Sequence, residues 1–384
     1  MKVKISEVCE QIRGVSYKPS DVLDSLTGIP ILRANNISDG TINYDNLVYI
    51  KKERISSKQI LKKGDILICT SSGSKNLVGK AGLIEKDVLI SSFGAFCRVL
   101  RAHDISSEYL FHYFCSNAYK NRISSLSEGA NINNIRNEHI NVLEIPIYPL
   151  EEEKKLLKVL NVTKSLILRR KQQLTKLNEL AKSRFLEMFG DPILNPMGWA
   201  ISHYGDEFEI MSGGTPKTDI PEYWVNGKIS WIGSNLCQNS VLIENDGKFI
   251  TEKGLNNSSA KIFNKGYILI ALVGATIGKV AHLKFSTSTN QNIAGINVPQ
   301  NENYIPEFVF YNTQFLYPKF MDIGNSKFKM ANLSFIRSLQ IPIVPIKAQK
   351  KFSNFVEQLD KSKFRAKKCL KLFTYMRHLR IIGI

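Results

Sequence analysis

The chain has 384 residues, 43% hydrophobic and 22% charged, and carries a formal net charge of +18. That length supports two or three cored domains, and no apolar run approaches the roughly 18 residues a membrane span needs. The start, Met1-Lys2-Val3-Lys4-Ile5-Ser6, lacks the apolar stretch of a secretory signal, so the expected location is the cytoplasm, with no membrane partner. Six scattered cysteines (Cys9, Cys69, Cys97, Cys115, Cys237, Cys369), none in a Cys-x-x-Cys pair, argue against a disulfide framework or a thiolate zinc site. The positive charge points to a polyanionic partner.

In chain order, the first 145 or so residues read as short strands, turns and a few helices. Strands are expected at residues 65–69 and 88–90, and an amphipathic helix over 109–122 whose Phe and Tyr side chains belong to a core rather than to a base-stacking platform. Pro146 and Pro149 then precede a long helix from about residue 151 to residue 189. At roughly 1.5 Å per residue it is about 58 Å long, more than one turn of duplex DNA at roughly 34–36 Å. Its positions Leu156, Leu160, Thr163, Ile167, Arg170, Leu174, Leu177, Ala181, Arg184 and Met188 alternate in steps of four and three, as in a coiled-coil seam. Gly190-Asp191-Pro192 ends the helix, and residues 190–200 read as a linker.

The plan then repeats. Lys63-Gly64-Asp65-Ile66-Leu67-Ile68 returns as Lys265-Gly266-Tyr267-Ile268-Leu269-Ile270, Gly79-Lys80 as Gly278-Lys279, and Ile145-Pro146-Ile147-Tyr148-Pro149-Leu150 as Ile341-Pro342-Ile343-Val344-Pro345-Ile346. The offset falls from 202 to 199 to 196, which places length changes at residues 69–78 and 116–130. Strands are expected at residues 267–272 and 293–298, an aromatic-rich helix over 307–320, and a second long helix with the seam Phe352, Val356, Leu359, Lys363, Ala366, Leu370, Phe373 and Arg377. Two matching imperfect seams most simply pack on each other, antiparallel. The two helices also concentrate the charge. Residues 151–189 hold ten Lys/Arg against five Glu, residues 347–380 eleven against two acids, and together they supply +14 of the +18. Trp224 and Trp231 are expected in a core.

The second copy opens with Ser212-Gly213-Gly214-Thr215-Pro216-Lys217, then Glu222-Tyr223-Trp224 and Ile229-Ser230-Trp231-Ile232. Ser258-Ser259-Ala260-Lys261, Lys265-Gly266-Tyr267-Ile268-Leu269, Gly278-Lys279 and Ile341-Pro342-Ile343-Val344-Pro345 follow. With Lys182-Ser183-Arg184-Phe185-Leu186-Glu187-Met188-Phe189-Gly190-Asp191-Pro192 at the end of the first long helix, the chain resembles, over nearly its whole length, the DNA-specificity (S) subunits of type I restriction-modification systems. The first copy departs from the pattern: it lacks the Gly-Gly-Thr-Pro entry and has Thr70-Ser71-Ser72-Gly73-Ser74-Lys75 where the second has Leu272-Val273-Gly274-Ala275.

The resemblance implies an α/β (α+β) chain of two similar target recognition domains joined by two long antiparallel coiled-coil helices, an internal pseudo-two-fold repeat. The expected divisions are 1–148, first recognition domain; 149–190, first spacer helix; 191–344, second recognition domain; and 345–384, second spacer helix. It further implies no catalysis in this chain. Each domain would read half of a split duplex-DNA target, and the helices would set the gap and dock two methyltransferase subunits. Restriction (motor-nuclease) subunits would complete the complex. S-adenosylmethionine, ATP and Mg2+ would sit on those partners, with no cofactor or metal here, and the target adenine would be flipped into the methyltransferase. The alternative is a stand-alone two-headed DNA-binding regulator.

The residues agree on the absence of a catalytic site. Residues 274–280 form a phosphate-loop-like run that is one residue short and lacks the magnesium-holding Ser/Thr; residues 73–81 are one too long, with the same defect. Glu152-Glu153-Lys154 has a nuclease-like spacing but lies at a helix start, where acids favour the dipole. Asn195-Pro196-Met197-Gly198 is not the Asn-Pro-Pro-aromatic motif of adenine methyltransferases, and the six histidines show neither metal spacing nor a paired nucleophile. Sequence reading requires side chains that match base edges, Arg to guanine and Asn or Gln to adenine, with Lys on phosphates. The loops of changed length and the segments facing them supply the candidates. In the first copy these are Arg33, Asn35, Asn36, Ser72, Ser74, Lys75, Asn131, Asn133 and Arg136; in the second, Thr215, Lys217, Thr276, Lys279, Asn290, Gln291, Lys327 and Lys329.

Overall fold

The computed structural model describes residues 1–384 except 26, 39, 74–76, 87–89, 128–133, 300–302, 324–329 and 382–384. Two compact units emerge, Met1–Gln172 with Lys367–Ile384, and Gln173–Ala366, so the division falls within both long helices, Leu150–Phe189 and Ile346–Ile381. Among the described residues no helix is long and apolar enough to cross a membrane.

The first unit is organised by a four-stranded antiparallel sheet in the order Cys9–Arg13, Cys97–Ala102, Ile66–Cys69, Ala81–Leu83. Successive side chains of a strand point to opposite faces, and all four residues of Ile66–Cys69 are buried, so the sheet is covered on both sides. Ile66 and Ile68 pack with Tyr109, Leu110, Phe114, Ile140 and Leu160 of the helices, whereas Leu67 and Cys69 pack with Leu32, Ile37 and Phe93. A second four-stranded sheet runs Ser92–Phe93, Ile29–Leu32, Val48–Ile50, Val22–Leu23, its first pair parallel. Lys2–Lys4 pairs with Glu144–Pro146 and brings the start of the unit to the foot of its long helix.

The second unit repeats this plan. Glu209–Ser212, Ile293–Asn297, Ile268–Ala271 and Val280–Leu283 take the same order, with Ser240–Leu242 added in parallel at the edge. Ile229–Ile232 and Thr287–Thr289 form the matching parallel pair, and Ile201–His203 with Gln340–Pro342 the matching closure. Ile268 and Ile270 again face the helices while Leu269 and Ala271 face the smaller core. The repeated Gly79 and Gly278 occupy one structural position, the left-handed residue of the turn between paired strands (φ 83° and 72°), where a side chain would be strained.

Several expectations are corrected. Of the strand expected at 88–90, Val88 and Leu89 lie outside the described residues, and Ile90 is exposed and outside any strand. The helix expected over 109–122 is two helices, Ser107–Phe114 and Asn117–Ser127, because buried Ser116 caps the second, its Oγ accepting from Tyr119 N at 3.2 Å. That expected over 307–320 is also broken, into Pro306–Phe315 and Tyr317–Met321, since Pro318 has no N–H to continue the ladder. Most aromatic side chains of both segments are core, Tyr109, Phe111, Phe114, Phe308, Phe310 and Phe320 being buried, whereas Tyr317 is exposed.

Residues 190–200 are a built turn rather than a linker. Asp191 Oδ1 accepts from Ile193 N at 2.7 Å, Asn195 and Trp199 bond each other twice, and Trp199 Nε1 donates to Phe189 O at 2.9 Å, satisfying a carbonyl at the helix end. Within the second unit the end of the first long helix lies antiparallel to the second: Phe189 and Phe185 meet Phe352, each at 5.5 Å between ring centres, and Arg184 lies over Phe355. Ala181, Val356, Leu359 and Ala366 are buried on the predicted seams, but Phe185 and Phe189 are not seam positions. A helix of 3.6 residues per turn drifts off a strict 3.5 repeat, and the contact face follows it.

One buried group makes the second unit acid-sensitive. His282, 2% exposed, is pushed down to about 4 by burial and then by the Lys284 charge. It is neutral in the fold but takes a proton below about pH 6.5 when unfolded. Its contribution to stability is therefore lost as pH falls from about 6.5 towards 4, by about 2–3 kcal/mol at pH 4.5. Neighbouring Glu307 accepts from Lys284 Nζ at 3.0 Å, a contact that favours its charged form. Urea melts at pH 7 and 4.5 should show His282→Gln with a shallower fall than the parent; equal falls would exclude His282 as the cause.

Candidate nucleic-acid interface

The first unit carries a cleft of about 910 Å³ where the two sheets meet, and among the described residues no acidic side chain lines it. Its floor is the end of the antiparallel pair Cys9–Arg13 and Cys97–Ala102, in which Arg13 stands directly opposite Arg98. Like charges opposite each other on adjacent strands are destabilising. Burial, and then the Arg13 charge, lower the proton affinity of Arg98, a guanidinium that nevertheless stays charged. The Nε atoms of Arg98 and Arg33 are both buried without a hydrogen-bond partner.

One wall is the turn at residues 33–36, which follows strand Ile29–Leu32. Asn36, 1% exposed, accepts from Arg33 N at 2.9 Å and donates to Asp45 O at 2.9 Å. Its amide is spent on holding this turn, which corrects its assignment as a base reader. The turn in return presents Arg33, whose Nη2 donates to Asn46 O at 3.0 Å, and exposed Asn35 to the cleft. The other wall is the end of strand Ile66–Cys69, where Ser71 bridges Asn134 and both Ser71 and Ser72 face the cleft. Arg136 is exposed just before helix Asn137–Asn141 and is not among the lining residues. Ser74, Lys75, Asn131, Asn133, Lys327 and Lys329 lie outside the described residues.

In the second unit the Gly213-Gly214 entry is a close strand approach. A Cβ on Gly213 would sit 2.0 Å from Thr289 Oγ1, and one on Gly214 2.3 Å from the Ser259 backbone. The approach brings Thr215 and Gln291 together, Thr215 Oγ1 donating to Gln291 Oε1 at 2.5 Å. Asn290 beside them accepts from Asn292 N at 3.2 Å. Lys217 is exposed, its carbonyl taking Trp224 Nε1 at 3.0 Å; Trp224 meets buried Trp231 edge-on at 5.2 Å, a structural pair as expected. Thr276 and Lys279 share the next turn, and Lys279 Nζ donates to Gln238 Oε1 at 3.2 Å.

Sequence reasoning missed Arg13, Arg98, Tyr17 and Phe96, which all line the first cleft. The signal was present in Arg98, a charged residue inside the otherwise apolar run Phe96-Cys97-Arg98-Val99-Leu100. Candidates sought in loops alone pass over a strand end.

A family model described as the type I restriction modification DNA specificity domain matches the chain twice, over residues 1–179 and 196–371. The StySPI specificity subunit of a type I restriction enzyme from Salmonella potsdam is 43% identical over 153 residues, 39% of this chain and 33% of that protein, so the match takes in about a third of the relative's length. A sequence assigned as the MjaX specificity subunit of Methanocaldococcus jannaschii is 26% identical, with 93% of this chain and 86% of its own length covered. Among solved structures, the S subunit of a type I restriction-modification system from M. genitalium has a TM-score of 0.53 at 16% identity, over 99% of this chain and 94% of that one. At that identity the likeness is one of fold.

Proposed function

The chain belongs to the type I restriction modification DNA specificity family, and on that premise we propose that it reads a split sequence in duplex DNA, one part with each unit, and catalyses nothing itself. The long basic helices act as the spacer that sets the unread gap and as the seat of two adenine methyltransferase subunits. Motor-nuclease subunits join the same complex, and S-adenosylmethionine, ATP and Mg2+ bind those partners rather than this chain.

The observation that carries this reading is the duplication itself: one strand order, one parallel pair and one strand closure occur twice, each ahead of a long helix. A single small-molecule site needs no second copy, whereas a bipartite duplex target does. The arginine-lined cleft of the first unit, with no acid among its described lining residues, fits a polyanion. The test is a modified-base map of DNA from cells that express the chain with its methyltransferase. The expected result is adenine methylation at one two-part motif with a fixed gap, absent when the chain is absent. Methylation independent of the chain, or at an undivided motif, would overturn the reading.

A further inference from the structure

Phe96 is an apolar ring in the wrong surroundings for a core residue: it is 70% exposed and lines the arginine cleft of the first unit. Its backbone is nevertheless fixed. The Phe96 carbonyl accepts from Thr70 N at 2.9 Å, Ser71 N at 3.1 Å and Thr70 Oγ1 at 3.2 Å. On either side Ala95 N donates to Val15 O at 2.9 Å and Cys97 N to Gly94 O at 2.8 Å. A ring on a slack loop could fold onto nearby apolar surface, but this one is held out by a turn tied to two neighbouring segments.

Beside it stand the opposed Arg13 and Arg98, with the buried, unpartnered Nε of Arg98, and among the described residues no carboxylate lines the cleft. Glu138, whose charge also reaches Arg98, is not among the lining residues. Cations gathered without an acid call for an anionic ligand, and a flat apolar face next to them calls for a ligand that alternates anion with aromatic plane. A nucleic-acid strand does so at every nucleotide. The second unit lacks both features: its matching strand-end pair is Ser212 opposite Ala294, and its matching turn is Asn290-Gln291-Asn292.

We propose that Phe96 is a wedge that stacks on the bases at one step of the first unit's half-site while Arg13 and Arg98 hold the adjoining phosphate. Apolar side chains that enter a base step unstack it, and base–aromatic stacking tolerates any base. Phe96 thus fixes position on the duplex rather than base identity. This inference rests on the reading of the chain as a duplex-binding subunit.

The experiment uses the full chain and a 30-base-pair duplex bearing the mapped motif, with 2-aminopurine placed in turn at each position of both half-sites. The parent should raise the fluorescence severalfold at one step of the first half-site and nowhere in the second. Phe96→Ala should abolish that rise and weaken binding by about 10- to 100-fold, the loss of one base–aromatic stack, with an unchanged melting temperature because the ring is exposed. Phe96→Trp should keep both signals. Arg98→Ala, with Phe96 in place, should lower the slope of log affinity against log salt by about 1. Equal fluorescence and affinity for the parent and Phe96→Ala would overturn the wedge while leaving the DNA-reading assignment intact. A parent chain with no salt-sensitive duplex binding would overturn that assignment, and the wedge with it.

Discussion

Replacing residues 200–340 with the matching segment of another specificity subunit should change one half of the methylated motif and leave the other half, and the gap between them, as they were. The cut points follow from the strand pairing. Ile201–His203 and Gln340–Pro342 lie side by side, Ile201 opposite Pro342, so the transplanted segment begins and ends at one place. Between them lie both sheets of the second unit, and both long helices stay outside. Contacts that cross the cut include hydrogen bonds that join Gln349 and Ser353 to Asn303, Ile305 and Glu307, and an aromatic set in which Phe308, Tyr311 and Phe315 from the segment meet Phe185 and Phe352 on the helices. A donor without aromatic side chains at those three positions should therefore fold poorly, and its failure would report packing rather than recognition. With those rings kept, the modified-base map gives the answer directly. A chimera that alters both halves of the motif, or neither, would contradict the assignment of one half to each unit.

The parts of this architecture that were legible in the sequence are the parts written locally. The Ile-Leu-Ile of the repeated Lys-Gly-x-Ile-Leu-Ile run lies in one strand in both units, and the glycine of the repeated Gly-Lys is a left-handed residue in both, because turn chemistry and strand burial act within a few residues. The long helices were legible for the same reason, since each follows a proline and carries a mostly apolar seam at steps of four and three. What escaped notice depends on partners distant in the chain. Arg13 and Arg98 become neighbours only when two strands far apart in the chain pair, and no window around either residue contains that pairing. Asn36 looked like a reader because asparagine beside arginine in a loop has the right chemistry. Whether its amide faces solvent or the backbone of Asp45 is decided by tertiary burial. The helix breaks fall between these cases. Pro318 was visible but its effect was underrated, whereas the cap by Ser116 depends on that residue being buried.

Phe185→Ala should be among the most destabilising single changes in the second unit. The ring is fully buried at the end of the first long helix, surrounded by Phe189 at 5.0 Å, Phe315 at 5.2 Å, Phe308 and Phe352 at 5.5 Å, and Tyr311 at 6.4 Å between ring centres. Truncation of a core phenylalanine costs about 3–5 kcal/mol, the lost transfer energy plus the cavity left behind. Five rings that were packed edge-on or stacked around it cannot all close on the gap, so the upper part of that range is expected. For a unit of this size the melting temperature should fall by roughly 6–20 °C. The matched control is Phe364→Ala on the second long helix, where the ring is 61% exposed and the change should stay within about 0.5 kcal/mol. The consequence for function follows from which elements the ring joins. Pro306–Phe315 belongs to the recognition unit, and the two long helices are the proposed spacer, so Phe185 is where reading head and spacer are made one rigid piece. Methylation should become less selective at the second half-site before it is lost, as the head loosens on its mount. A Phe185→Ala protein that unfolds in urea within 1 kcal/mol of the parent would show that the aromatic cluster does not carry this joint.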